Sequence, residues 1–144
     1  QNYLTNAQLM SSFEKVKNYL LELNYEIIKE NEETGVFIIN AEEKGVANMI
    51  LDCEGDILIL TQHIVNLPAG DGDIYKELLQ LNTTLVHGAY ALADAEGKTI
   101  IFRDTLQLAN LDLNELEASI NALTLSLAEN INRFLGYAKG SVPA

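Results

Sequence analysis

The chain predicts an α+β, two-layer domain with an antiparallel sheet packed against helices in the order α-β-β-β-β-α-β-β-α. Three observations predict it. Apolar residues recur at helical spacing near the start, in the middle and near the end, and at strand-like spacing between. Only short, turn-like pieces separate the strand runs, which allows hairpins and excludes parallel crossovers. The helices cluster rather than alternate with the strands.

Thr5 and Gln8 stand three apart ahead of an apolar series and form a capping box, in which two side chains satisfy the free N–H groups of a helix start. Leu9, Phe13, Val16, Leu20 and Leu23 then mark one buried helical stripe, and Asn24 is a plausible stop. From Tyr25 to Ile64 the runs YEIIKE, VFIINAE, VANMILDC and DILILTQHI are short and rich in β-branched residues. NEETG, EKG and CEGD separate them, and Gly55 supplies the positive φ that a tight hairpin needs. VANMILDC and DILILTQHI are apolar on both sides of the pleat. They are expected at the centre of the sheet, with helices over one face and room for a partner over the other.

Pro68 and AGDGD break the sheet, and Asp71 or Asp73 caps a second helix carrying Ile74, Leu78, Leu81 and Leu85. After Gly88, AYALAD and KTIIFRDT make a hairpin with Gly97 in its turn. Asp112 and Glu115 form another capping box. They open a long helix with Leu113, Leu116, Ile120, Leu123, Leu127, Ile131 and Phe134 on one stripe. No repeat or linker interrupts residues 1–144, which read as one domain with 1–5 and 139–144 expected to fray. Folding a chain of this mass removes ~15,000 Å² from water, enough for one core without disulfide or metal.

Twenty-one acidic residues oppose nine basic ones, a net charge of −12. Such a field repels nucleic-acid backbones and anionic lipid, and suits neutral or basic partners. Cys53 is the single cysteine, so nothing favours an oxidising compartment. No apolar run approaches the ~18 residues of a membrane span. A cytoplasmic protein is expected, although Gln1 is not an initiator and leaves room for an upstream segment.

Chemistry is harder to find. His87, Tyr90, Arg103 and Asp104 crowd into one stretch, with Tyr90 and Arg103 near one another on paired strands and His87 at the helix-to-strand junction. A nucleophilic triad needs a hydroxyl or thiol beside a base oriented by a carboxylate, and no such elbow occurs there. A hairpin explains all four residues, so none is assigned as catalytic. His63, His87 and Cys53 lack metal-ligand spacing, and Cys53 is expected to fill space as a small apolar side chain. The AGDGDIYKE segment is no calcium loop, because Asn82 stands where the twelfth-position glutamate belongs. GDG is too short and too acidic to hold a phosphate. No catalytic, cofactor-binding or metal residue is therefore assigned, and no cofactor is expected.

The layout resembles the YbjN-like proteins and the type III secretion chaperones of the Tir-chaperone kind, which share one α+β fold. The resemblance rests on the leading helix LTNAQLMSSFEKVKNYLLELNYEI and the meander ending DCEGDILILTQHI. It rests equally on LLQLNTTLVHGAYALADAEGKTIIFRDTLQLANLDLNELEASINAL, with L-D-x-x-E-L opening the final helix, and spans essentially the whole chain. It implies a small acidic homodimer that holds a segment of a protein partner and has no active site. Four strands before the middle helix, where those chaperones usually show three, tilt the match to the YbjN-like branch. Two other readings are carried forward. One is an enzyme or small-ligand binder that uses His63 or His87 beside a carboxylate in a pocket between helices and sheet. The other is a regulatory subunit dedicated to one larger complex.

Overall fold

The computed structural model describes residues 11–140. Its elements are α1 (Ser12–Glu22), β1 (Glu26–Asn31), β2 (Val36–Ala41), β3 (Val46–Glu54), β4 (Ile57–Asn66), α2 (Gly72–Leu81), β5 (Ala89–Leu92), β6 (Thr99–Gln107) and α3 (Leu113–Tyr137). The six strands form one antiparallel sheet in the order β1-β2-β3-β4-β6-β5, which puts β3 and β4 at its centre as their two-sided apolar character predicts.

The Thr5–Gln8 box and Leu9 lie outside the described residues. The start of α1 is capped by Ser11, whose hydroxyl accepts from the Glu14 N–H at 3.1 Å. Asn24, just past the C-terminus of α1, takes the left-handed conformation with φ 64°. Of the two aspartates expected at α2, Asp71 is the cap, accepting from the N–H groups of Asp73 and Ile74. Leu85 is not on α2, because a 3₁₀ turn over Asn82–Thr84 follows Leu81 and redirects the chain toward β5. Asp112 caps α3 through the Glu115 N–H at 2.8 Å, as its sequence signature predicts.

Strand register sorts every side chain to one of two faces. One face carries Phe37, Leu51 and Leu60 in a single cross-strand row, and Ile39, Met49, Leu58, Ile100, Phe102 and Tyr90 beside it. All nine are buried and pack with Phe13, Val16 and Leu20 of α1, Ile74 and Leu78 of α2, and Leu116, Ile120 and Leu123 of α3. Each such side chain contributes about 1.5–3 kcal/mol on leaving water. Phe13 stacks on Phe37 with centroids 4.2 Å apart, which adds about 0.5–1.5 kcal/mol and fixes α1 over β2.

The α3 stripe departs from its expected course. Ile131 is 50% exposed, whereas Ser119 and Ser126 are buried. A straight helix drifts relative to a seven-residue repeat, and hydrogen bonding makes the serines tolerable inside. Ser119 Oγ donates to the Asp104 carboxylate at 2.7 Å, and Ser126 Oγ lies 2.6 Å from Tyr90 Oη.

Candidate functional site

The residues singled out in the sequence do not form one site. Tyr90 is buried on the helix-covered face, while Arg103 is exposed on the opposite one, because Tyr90 pairs with Phe102 and Arg103 pairs with Ala89. Asp104 faces the helices and is bonded to Ser119. His87 is exposed and lines a shallow depression beside Asp112 and Glu115, without a hydrogen bond to either among the described residues. Gly88 permits the turn into β5: its φ is 74°, and a Cβ there would stand 2.5 Å from the Phe102 ring. Among the described residues no group of three His, Cys, Asp or Glu side chains comes together.

Cys53 is half-buried against the core near the end of β3, and burial, helped by the nearby Asp52 carboxylate, pushes its thiol up to about 11. That thiol is protonated and weakly nucleophilic near neutrality. Tyr25 is raised to about 12, first by burial and then by Glu117 and Glu43. Neither group has a depressed pKa suited to nucleophilic work.

Besides the exposed Leu79, Val86 and Leu125 on the helices and the turn before β5, two apolar surfaces remain open beside the sheet. The first is a groove of about 460 Å³ between the second half of α3 and the sheet where β3 begins and β4 ends. Leu127, Ile131 and Phe134 form one wall, Ile64 and Ala47 face them, and Glu43, Lys44 and His63 stand at the margin. The wall at β3 is held by Gln62, a buried amide that donates to Gly45 O at 2.9 Å and accepts from the Ala47 N–H at 3.1 Å. A carboxamide satisfies a donor and an acceptor at once, which suits a kinked backbone lacking its full ladder. His63 is hydrogen-bonded to Asn66 at 2.9 Å, and among the described residues no carboxylate is hydrogen-bonded to it.

The second surface is the face of the sheet turned away from the helices. Val36 and Ile38 of β2, Ile50 of β3, and Ile57 and Ile59 of β4 project from it, and no described helix lies over them. Ile50 is 41% exposed and Ile57 37%, values typical of surface rather than core. Asp52 stands among them, paired laterally with Val36 and Ile59. Its Oδ1 is buried without a hydrogen-bond partner, and its carboxyl also lies against Glu54, whose pKa is raised first by hydrogen bonding to Asp52 and then by the charge of Asp52.

The sheet edges differ. At β5 the Asn82 side chain donates to Tyr90 O at 3.1 Å and accepts from the Tyr90 N–H at 2.8 Å, closing the edge that an added strand would use. At the other edge β1 is exposed along most of its length and carries an irregularity between Ile27 and Lys29.

Among the described residues no helix is long and apolar enough to cross a membrane. No curated protein matches the chain. Several solved structures share its fold. YbjN from E. coli, described as a candidate transcription regulator, superposes with a TM-score of 0.63 at 10% identity, over 83% of this chain and 91% of YbjN. An uncharacterized protein from Methanothermobacter thermautotrophicus gives 0.60 at 14% identity, over 87% and 97%. The Yersinia pestis type III secretion chaperone SycH, solved with a stable fragment of YscM2, gives 0.55 at 14% identity, over 88% and 99%. The family model CesT_Tir_1 matches residues 9–140, nearly the whole chain, and with the α-β-β-β-β-α-β-β-α order it establishes that this chain belongs to the CesT_Tir_1 family.

Proposed function

We propose that the protein is a non-enzymatic, chaperone-like binding module that holds a segment of a partner protein and works as a homodimer. The observation that carries this reading is apolar surface left open by a single copy on both sides of the sheet: the groove beneath Ile131 and the face bearing Ile50. SycH, which shares the fold, is a chaperone solved with a fragment of another protein, and this supports the same kind of role here. The groove takes the client segment. Its apolar walls suit the buried side of an amphipathic stretch, and a net charge of −12 selects neutral or basic clients. A sequence with one cysteine, which can form no disulfide within itself, fits a reducing cytoplasmic setting.

The test is fluorescence anisotropy with amphipathic peptides of about 15 residues at three net charges. Affinity should fall from basic to neutral to acidic peptides. Ile131→Asp should weaken the best binder about tenfold or more, equivalent to ~1.4 kcal/mol. Absence of binding to any peptide, or equal affinity in Ile131→Asp, contradicts the reading.

A further inference from the structure

We propose that Glu43 is the specificity-determining residue of the groove beside α3, and that the segment held there carries a lysine or arginine in the turn just beyond one end of its apolar stripe. The proposal rests on the groove being the client site, and it names the chemistry and the polarity of that client.

The apolar wall of the groove has a charge at one end. Leu127, Ile131 and Phe134 stand four and three residues apart on α3, so the wall runs about 10 Å along the helix axis. Its Leu127 end abuts the start of β3. Gly45 has φ 74° there, and a Cβ on it would stand 3.2 Å from Leu127 Cδ1. The 3₁₀ turn Glu42–Lys44 immediately precedes Gly45 and therefore lies at the same end. Of its two glutamates only Glu43 lines the groove, and among the described residues no other carboxylate does.

Glu43 is exposed and forms no ion pair among the described residues. The lysine next to it is already engaged: Lys44 Nζ sits over the Tyr25 ring, 4.9 Å from its centroid. Glu43 and Glu117 both act on the Tyr25 hydroxyl, so two carboxylates stand about that ring against one ammonium. The Leu127 end is thus left net negative, with Glu43 as the carboxylate on the groove itself.

This local charge acts differently from the −12 of the whole chain. Exposed charges more than about 8 Å apart are largely screened at physiological salt, so most of the other acids do little for a cation already seated in the groove. Glu43 alone lies where it can fix the position of that cation. A helical client lays two turns of apolar side chains along the wall, and its next turn falls beside Glu43. A basic residue in that turn meets an opposite charge, whereas an acidic one is repelled.

Fluorescence anisotropy on the full chain at physiological ionic strength tests this with peptides of about 15 residues sharing one helical apolar stripe. The first carries a lysine pair in the turn beyond the stripe. The second has the same pair at the middle of the polar face, and the third has glutamates at the positions of the first. Wild type should bind the first peptide about threefold or more tighter than the second. Glu43→Lys should raise the Kd of the first peptide about tenfold and lower that of the third by a similar factor. Glu32→Lys makes the same change in net charge in the turn between β1 and β2, at the other end of β2, and should alter each Kd less than about twofold. Glu43→Gln should weaken the first peptide about threefold and serves as the milder variant, with thermal melting as the folding control.

Equal effects of Glu43→Lys and Glu32→Lys would mean that net charge alone sets the preference, and would overturn the proposal. So would equal affinity of wild type for the first and second peptides. If Ile131→Asp still weakens binding in either case, the groove remains the client site and only the role of Glu43 is lost. Absence of binding by every peptide removes the client site and the role of Glu43 together.

Discussion

The side-chain amide of Asn82 bonds both backbone groups of Tyr90, donating to its carbonyl and accepting from its N–H, in the place a seventh strand would occupy. This short side chain finishes the sheet at β5 and prevents uncontrolled edge pairing. Asn82→Ala leaves two part-buried backbone groups unpaired and is expected to cost about 1–3 kcal/mol, read as a lower urea midpoint. Asn82→Asp keeps the acceptor for the N–H and should lose less. An unchanged midpoint in Asn82→Ala would show that the edge is not held this way.

Tyr90 also reaches inward to Ser126, 2.6 Å away, and tilts against Phe134 at 5.1 Å between centroids. Tyr90→Phe and Ser126→Ala each strand a buried hydroxyl and should each cost about 1–2 kcal/mol. The double variant should cost less than the sum of the singles, with a coupling energy of about 0.5–1.5 kcal/mol in a double-mutant cycle. Strict additivity would mean that the two hydroxyls do not depend on each other.

The two ion pairs of the described residues should behave differently. Glu77 holds both the Arg133 guanidinium and the Tyr137 hydroxyl, joining α2 to the end of α3, and its side chain is 18% exposed. Glu77→Gln should cost about 1–2 kcal/mol, less than in a fully buried pair because Arg133 remains a third exposed. Lys17 and Glu30, 3.0 Å apart and more than a third exposed, should contribute at most about 0.5 kcal/mol, so Lys17→Met should barely move the melting temperature. Equal effects from both substitutions would refute this ranking.

Alkaline pH should expose the burial of Cys53. The thiol titrates near 9 when unperturbed and is pushed up to about 11 in the fold by burial and then by Asp52. Stability associated with this raised pKa is intact below pH 9. It falls as pH rises from 9 to 11, where the unfolded thiol ionises while the folded one keeps its proton. Urea midpoints of wild type and Cys53→Ala should therefore diverge in pH dependence only above about pH 9, with wild type losing more. At pH 8 the folded thiol should alkylate far more slowly than the denatured one, and equal rates would contradict its burial.

The order of elements was legible because apolar period and turn chemistry agree along the chain: Asp112 and Glu115 mark a helix start, Gly55 marks a hairpin, and β3 and β4 read as central from their two-sided apolar pattern. The side-chain fastenings were not legible. Gln62, Asn82, Ser119 and Ser126 look like surface residues in sequence, since a polar side chain reveals burial only when its partner is known. Those partners stand 15 or more residues away for Gln62, Ser119 and Ser126. Nor could periodicity tell that Ile131 would border a groove instead of the core, because drift along a 25-residue helix exceeds what an apolar stripe resolves. The cluster of His87, Tyr90, Arg103 and Asp104 is dispersed by the alternation of strand faces, consistent with its reading as a hairpin.

The most direct test of the open face as a contact surface is solvent paramagnetic attenuation of isoleucine and leucine methyl signals in the wild type, followed on dilution. Ile50 and Ile57, 41% and 37% exposed in a single copy, should be shielded at high concentration and become more attenuated on dilution, while Leu79, 71% exposed, stays strongly attenuated throughout. Attenuation of Ile50 and Ile57 that does not change with concentration would contradict the account.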